Sequence, residues 1–322
     1  MKQRALVSAF LVVALWSTAA SAQSFPSRPV RLIVPFPAGG PADLFGRVLG
    51  SGMSGNLGQQ VMIENHAGVA GLAGVDALAK SAPDGYTIGL NNAASLCAMP
   101  FMLPKMPFDW HKDLALITIV VRVPQVIVVH PSLGVNTLPE LIAYARANSK
   151  KVNYGSAGTG STTHLVVELL KSETKIDLVH VPYRGAAPVV NDLLGGHVQL
   201  AVLDTPVLLP HIRSGKVKAL AVTSATRSAS LADVPTTAEL GLARVNSDNW
   251  YGLSAPSGVA PDNFDKLTSA ALTTLRSDDV KKQFQTQDAV PAPSTPAEFA
   301  ALVKSEQAKW GPIVIATGAK LE

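Results

Sequence analysis

Two glycine-rich turns constrain this chain more than any other feature. Val34-Pro-Phe-Pro-Ala-Gly-Gly-Pro-Ala-Asp43 and Tyr154-Gly-Ser-Ala-Gly-Thr-Gly-Ser-Thr-Thr-His164 each end an apolar run, and each leads into a helix-like pattern. Glycine reaches backbone conformations with positive φ that point consecutive N–H groups inward, and the helix that follows adds the positive end of its dipole. Each turn is therefore a candidate anion-binding element. Two of them facing one ligand would hold a molecule with two negative ends.

Around these turns, short β-rich runs alternate with helical patterns, which predicts an α/β fold with largely parallel strands. The expected strands cover 30–34, 61–64, 87–90, 126–130, 152–154, 178–181, 198–202, 219–223 and 251–255. Helix starts are marked by Thr137-Leu-Pro-Glu140, Thr236-Thr-Ala-Glu239 and Thr295-Pro-Ala-Glu298, each a capping box in which hydroxyl and carboxylate satisfy each other's orphan N–H groups. Gly195 and Gly215 stand where a left-handed residue ends a helix.

The first 22 residues read as an export signal, because Lys2 and Arg4 precede an apolar run over 5–16 and small residues Ala20 and Ala22 fit the positions before a peptidase cut. That apolar core is too short to span a bilayer, so the expected mature chain starts at Gln23 and is released. Cys97 is the only cysteine, which rules out an intramolecular disulfide. The roughly 300 mature residues suit two domains that each bury a core, and contents of 47% hydrophobic and 16% charged residues support that. The net charge is +4, two of the cations belong to the leader, no Lys/Arg run stands out, and aromatics are 6%. Neither a phosphate-tracking groove nor a base-stacking platform is indicated, so nucleic acid is not an expected partner.

Segments 124–131 and 219–225 are apolar and β-branched, bracket the middle third of the chain, and read as two crossover strands. Domain 1 would then hold 23–123 and 226–322, and domain 2 would hold 124–225. In that topology the Pro37 and Gly158 turns lie on opposite walls of a cleft, and the paired connectors form a hinge that closes on a small molecule.

An ordered series of motifs runs through the whole mature length. It comprises Ile33-Val-Pro-Phe-Pro-Ala-Gly-Gly40 with Asp43 and Arg47, Leu57-Gly with Val61, Glu64-Asn65 and Gly68, Pro83-Asp-Gly-Tyr86, the Tyr154 turn with His164, Val181-Pro-Tyr-Arg-Gly185, Leu193-Leu-Gly-Gly196, Ala221-Val-Thr-Ser with Arg227, Val234-Pro-Thr with Glu239, and Trp250 before Ala255-Pro256. With these motifs the chain resembles the Bug-type (TctC-like) solute receptors of tripartite tricarboxylate transporters. The resemblance implies a two-lobed periplasmic binding protein of type II-like architecture with a ligand cleft between lobes. It also implies a monomer without enzymatic activity or cofactor, a small carboxylate ligand, and the membrane components of such a transporter as partners.

Under that resemblance, N–H groups near Ala38, Gly39 and Gly40 hold one ligand end, with Pro37 in the same turn and Phe36 packed beside it. Asp43 is expected to cap the next helix rather than touch an anion. The second seat combines Gly158, Thr159 and Gly160 with the hydroxyls of Ser156 and Ser161. Thr163 stands where a dinucleotide fingerprint needs its third glycine, so nucleotide binding is rejected. His164 and Glu168 are spaced like metal ligands, but no second histidine pair supports a metal site, and His164 reads as a packed or capping member of the turn. Asn91, after a strand, should line the cleft.

Arg184 replaces the family's usual lysine beside Gly185; its planar fork either grips a carboxylate or stands on the surface. Asp204 either caps a helix or accepts a hydrogen bond from a ligand hydroxyl or amine. Two other readings stay open: a ligand sensor for a signalling system, which shares the binding chemistry, and a secreted α/β hydrolase, for which no G-x-S-x-G elbow or H-E-x-x-H pair is present.

Overall fold

The computed structural model describes residues 24–318 and 320, so the export-signal reading of 1–22 lies outside them. The chain begins as alternating strand and helix: β1 (Val30–Val34), α1 (Pro41–Leu57), β2 (Val61–Asn65), α2 (Leu72–Ala79) and β3 (Thr87–Asn92). β1 lies parallel to both β2 and β3. After three short helical segments, Ala94–Ala98, Met99–Met102 and Trp110–Asp113, comes β4 (Leu114–Val129), a strand of 16 residues. There follow α3 (Leu138–Ala147), β5 (Asn153–Ser156), α4 (Thr162–Thr174), β6 (Val179–Pro182), α5 (Ala186–Leu194), β7 (Leu200–Asp204), α6 (Thr205–Arg213) and β8 (Lys218–Val222). The chain closes with β9 (Asp248–Pro256), α7 (Pro261–Arg276), α8 (Asp278–Thr286), β10 (Val290–Pro291) and α9 (Pro296–Thr317).

β4 belongs to two sheets. Its first part, Leu114 to Pro124, pairs antiparallel with β9, which leads through β3 and β1 to β2. From Gln125 onward it pairs with β7 and β8 instead, and β7 leads through β5 to β6. The exchange of partners falls at Pro124, which has no N–H to give a ladder. The return path is less regular than the expected strand over 219–225. β8 stays in the second sheet to Val222, and the crossing follows it, where Thr223 N donates to Gln125 O at 2.9 Å and Ser247 N donates to Thr223 O at 2.8 Å.

The cores explain why β4 is apolar on both faces. Val126 and Val128 pack with Val189 and Leu193 of α5 and Leu208 of α6, while the alternate residues Ile127 and Val129 join Leu165 of α4 and Tyr154. In the first lobe, Val30, Leu32 and Val34 pack on Phe45, Leu49 and Met53 of α1 and on Leu267 of α7.

The helix signals divide. Thr295 forms the full capping box with Glu298. Thr137 accepts from Glu140 N, but Glu140 reaches back to Asn136 N at 2.7 Å instead of to the cap residue. Thr236 and Glu239 exchange both box bonds at 2.7 and 3.0 Å, yet no helix follows, because Gly241 at φ 82° ends the chain's first turn. Gly195 keeps right-handed φ of −80°, and its neighbour Gly196, at 73°, takes the left-handed position.

Candidate functional site

The first turn links β1 to α1. Its conformation is set by Asp43, the third residue of the helix, whose Oδ2 accepts from Gly39 N at 3.1 Å and from Arg47 Nε at 2.9 Å. Oδ1 accepts from Asn65 Nδ2 at 3.0 Å, and the same amide donates to Phe36 O at 2.9 Å. Burial pushes the Asp43 carboxyl up, but the bonds from Arg47, Gly39 and Asn65 outweigh it and hold it below the ordinary range. Asp43 is therefore not the cap; Gly40 occupies that position without a side-chain bond. The N–H of Gly39 is consumed by Asp43, which corrects the expectation that it faces the ligand.

The second turn, between β5 and α4, repeats the device. His164, again the third residue of its helix, accepts from Gly160 N through Nδ1 at 3.1 Å, which leaves the imidazole proton on Nε2. Gly158 N donates to Ser156 Oγ at 3.3 Å, and Ala157 N donates to Thr163 Oγ1 at 2.9 Å. Ser161 caps α4. Behind the turn, His164 stacks on His180 at 4.1 Å between ring centres, and His180 Nε2 lies 2.6 Å from Ser156 Oγ. Burial drives both imidazoles down to about 4, and for His180 the neighbouring His164 adds to the shift. They are neutral at ordinary pH. Glu168 completes the cluster by accepting from Tyr154 Oη at 2.6 Å and Lys171 Nζ at 2.7 Å.

A third element enters at Gly185, which starts α5 with φ 100°. A Cβ there would lie 3.2 Å from Pro37 Cγ, so the lobes touch at this point and only a glycine fits without pushing them. Gly160 makes a similar close approach, since its Cβ would meet Met99 and Met102 of the first lobe.

The floor of the cleft is a buried polar network. Asp204, at the end of β7, holds the N-cap position of α6 as expected, but its side chain makes no cap bond; it accepts from Asn249 Nδ2 at 2.9 and 3.1 Å, Tyr251 Oη at 2.9 Å and Gln125 Nε2 at 3.1 Å. Burial pushes its carboxyl up, and those three partners pull back only in part. Gln125 also donates to Thr162 Oγ1 and accepts from Ser247 Oγ. The network thus joins β9 of the first sheet to β7 and α4 of the second.

Two adjoining chambers occupy the cleft, the inner of them over this floor. The inner one, about 50 Å³, is lined by Phe36, Pro37, Ala38 and Gly40, by Ser161, Thr162 and Thr163, by Arg184, Gly185, Ala186 and Ala187, and by Asn92, Asp204, Asn249 and Tyr251. The outer one, about 610 Å³, shares Phe36, Pro37, Arg184 and Gly185 and adds Gly158, Thr159, Tyr183 and the turn over 67–71. The N-termini of α1, α4 and α5 converge on the inner chamber, each with first-turn N–H groups that have no intrahelical partner. Arg184 borders both chambers and has no carboxylate partner among the described residues.

Five sequence-predicted residues line neither chamber: Gly39, which is exposed, and four that stand behind the lining. Asn91 is buried and donates to Ser254 Oγ across β3 and β9, because strand alternation turns it away from the cleft and turns Asn92 toward it. Ser156 and His164 are buried supports of the second turn, and Gly160 packs against the two methionines. The Ser156–His180 pair resembles a nucleophile and base, but Ser156 is fully buried and lines neither chamber. Gln125, Asn249 and Tyr251 went unmarked in the sequence; the i, i+2 spacing of the last two on one strand face was the available signal.

The model of the tripartite tricarboxylate transporter family receptor, TctC, matches residues 45–319. The chain belongs to this family. Among curated relatives, Protein BugT of Bordetella pertussis is 37% identical over 319 residues, 99% of this chain and 98% of its own. Among solved structures, periplasmic binding protein BugD superposes with a TM-score of 0.88 at 33% identity, covering 92% of this receptor and 100% of BugD. An R. palustris protein solved with adipate also gives 0.88, at 32% identity over 92% of the receptor and 100% of that chain. The receptor has the two-lobed α/β architecture of these binding proteins.

Proposed function

We propose that this receptor is a periplasmic solute-binding protein that captures a small carboxylate, a dicarboxylate with an aliphatic or aromatic body, and delivers it to the membrane components of a tripartite tricarboxylate-type transporter. It is exported with a cut near Ala22 and works as a monomer, with lobes at 23–123 plus 226–322 and at 124–225. One observation carries the reading: three helix N-termini, one from the first lobe and two from the second, meet at a single chamber beside the Arg184 guanidinium, which has no carboxylate partner among the described residues. A relative of the same fold solved with adipate, a dicarboxylate, supports it.

In this reading the free N–H groups of Ala38, Gly40, Thr162 and Ala186, the Ser161 hydroxyl and Arg184 meet the anion. Phe36, Pro37, Gly158, Thr159 and Gly185 shape the space around it, and Asp204 ties β7 to Asn249 and Tyr251 of β9 beneath it. An anion at a helix N-terminus gains about 0.3 to 1 kcal/mol when exposed and up to about 2 when partly buried. Hydrogen bonds to a charged group add about 1.5 to 3 kcal/mol. Micromolar binding needs about −8 kcal/mol after the cost of association, so closure that excludes water has to strengthen each contact.

Thermal shift of the exported chain against a panel of mono-, di- and tricarboxylates tests the reading. Stabilisation by a dicarboxylate is expected, since a ligand that binds only the folded state raises its melting point. A panel with no stabilising carboxylate would contradict the reading, and failure of the loaded receptor to support uptake through a reconstituted transporter would remove its delivery role.

A further inference from the structure

The turn that walls the outer chamber is strained. Val69 and Ala70 hold φ of 41° and 53°, followed by Gly71 at 96°. Positive φ is uncommon for alanine and an outlier for a β-branched valine. Val69 is also 50% exposed, and with Ala70 it lines the outer chamber. The turn is pinned from behind. Gly71 N donates to Gly68 O at 3.0 Å, and Asn92 Nδ2 donates to Ala70 O at 3.4 Å. A Cβ on Gly71 would lie 2.8 Å from Asn92 Oδ1 and 3.2 Å from the Phe36 ring, so turn, ring and amide form one packed wall. Tyr183 stands across from it on the second lobe. Strain of this kind persists where the surroundings over-determine it, and it gathers at ligand clamps.

We infer that the Val69–Ala70 turn is the specificity-determining wall of the outer chamber and selects a carboxylate with a ring-sized apolar body over a short aliphatic diacid. The inference rests on the carboxylate reading above. The inner chamber, about 50 Å³, is the smaller of the two, and its lining by Arg184 and the starts of α1, α4 and α5 suits a carboxylate group. The body of the ligand lies in the outer chamber, about 610 Å³, where Phe36, Val69, Ala70 and Tyr183 supply apolar contact that grows with ligand area. A four-carbon diacid leaves that surface wet.

Calorimetric titration of the exported chain with succinate, benzoate and terephthalate, in wild type and in Val69→Gly, tests this. Glycine removes the side chain and relieves the positive φ, so the variant should melt no lower than wild type. One of the two ring carboxylates should bind wild type about tenfold tighter than succinate, and Val69→Gly should lose about fivefold for that ligand while succinate changes by less than about twofold. Ring carboxylates no tighter than succinate, or equal losses for both classes, overturn the wall. If none of the three binds while another carboxylate of the panel stabilises the chain, the wall falls and the carboxylate reading stands; if no carboxylate of the panel does, both fall.

Discussion

Arg184 is exposed, borders both chambers and lacks a carboxylate partner among the described residues, which leaves its planar fork open for an anion. Arg184→Ala should weaken anionic ligands by about 1.5 to 3 kcal/mol while neutral analogues of the same shape lose little, as calorimetry would show. Equal losses would place the guanidinium off the ligand. The stacked histidines make a second expectation. Their folded pKa values, about 4, lie below the ordinary 6.5, so between these values the unfolded chain binds more protons than the folded one. Stability therefore falls as pH drops from about 6.5 to about 4. Melting curves should show that slope, and His180→Phe should flatten it; an unchanged slope would mean that the pair does not carry it. At this scale the glycine pattern made both turns legible. The direction of their N–H groups was not, because Gly39 and Gly160 each donate to a side chain four residues on, and Asp43 and His164 read in sequence as a cap and a packed ring.

Helix starts and glycine turns punctuate the chain clearly, so most strands fall close to their expected places, β1 over the full span of 30–34 among them. The first part of β4 went unmarked because Leu114 to Val123 is apolar apart from Thr118 and Arg122, and a strand covered on both faces over most of its length carries no period-two signal. The box at Thr236 misled for the opposite reason: its two bonds are local, while a helix needs further turns, and Gly241 stops it. α5 matters most for the cleft, since its start at Gly185 brings a third N-terminus against Pro37. Gly185→Ala should strain φ 100° and drive a methyl to 3.2 Å from Pro37 Cγ. The expected result is a large loss of ligand affinity with the fold's circular dichroism retained, and retained affinity would show that the lobes need not meet there.

Across the whole molecule, the two lobes are joined at Gln125, Asp204, Ser247, Asn249 and Tyr251, a network without a cation, in which every Asp204 bond comes from a neutral donor. Asp204→Asn presents an amide donor to the donors that now meet a carboxylate, and should cost about 1 to 3 kcal/mol in urea unfolding. No measurable loss would mean that the network does not hold the lobes together. The sheet exchange in β4 was legible in outline from 124–131, whereas 219–225 gave a strand that stays in the second sheet to Val222, and the polar lock was not legible because its members lie far apart in sequence and each looks ordinary alone. The claim that the lobes clasp negative charge is tested most directly by titrating the exported chain with the tightest carboxylate from the panel and with its amide counterpart of equal shape. Binding of the carboxylate with loss of roughly a hundredfold or more for the amide is the result expected from converging helix N-termini and Arg184; equal affinity for the two would contradict it.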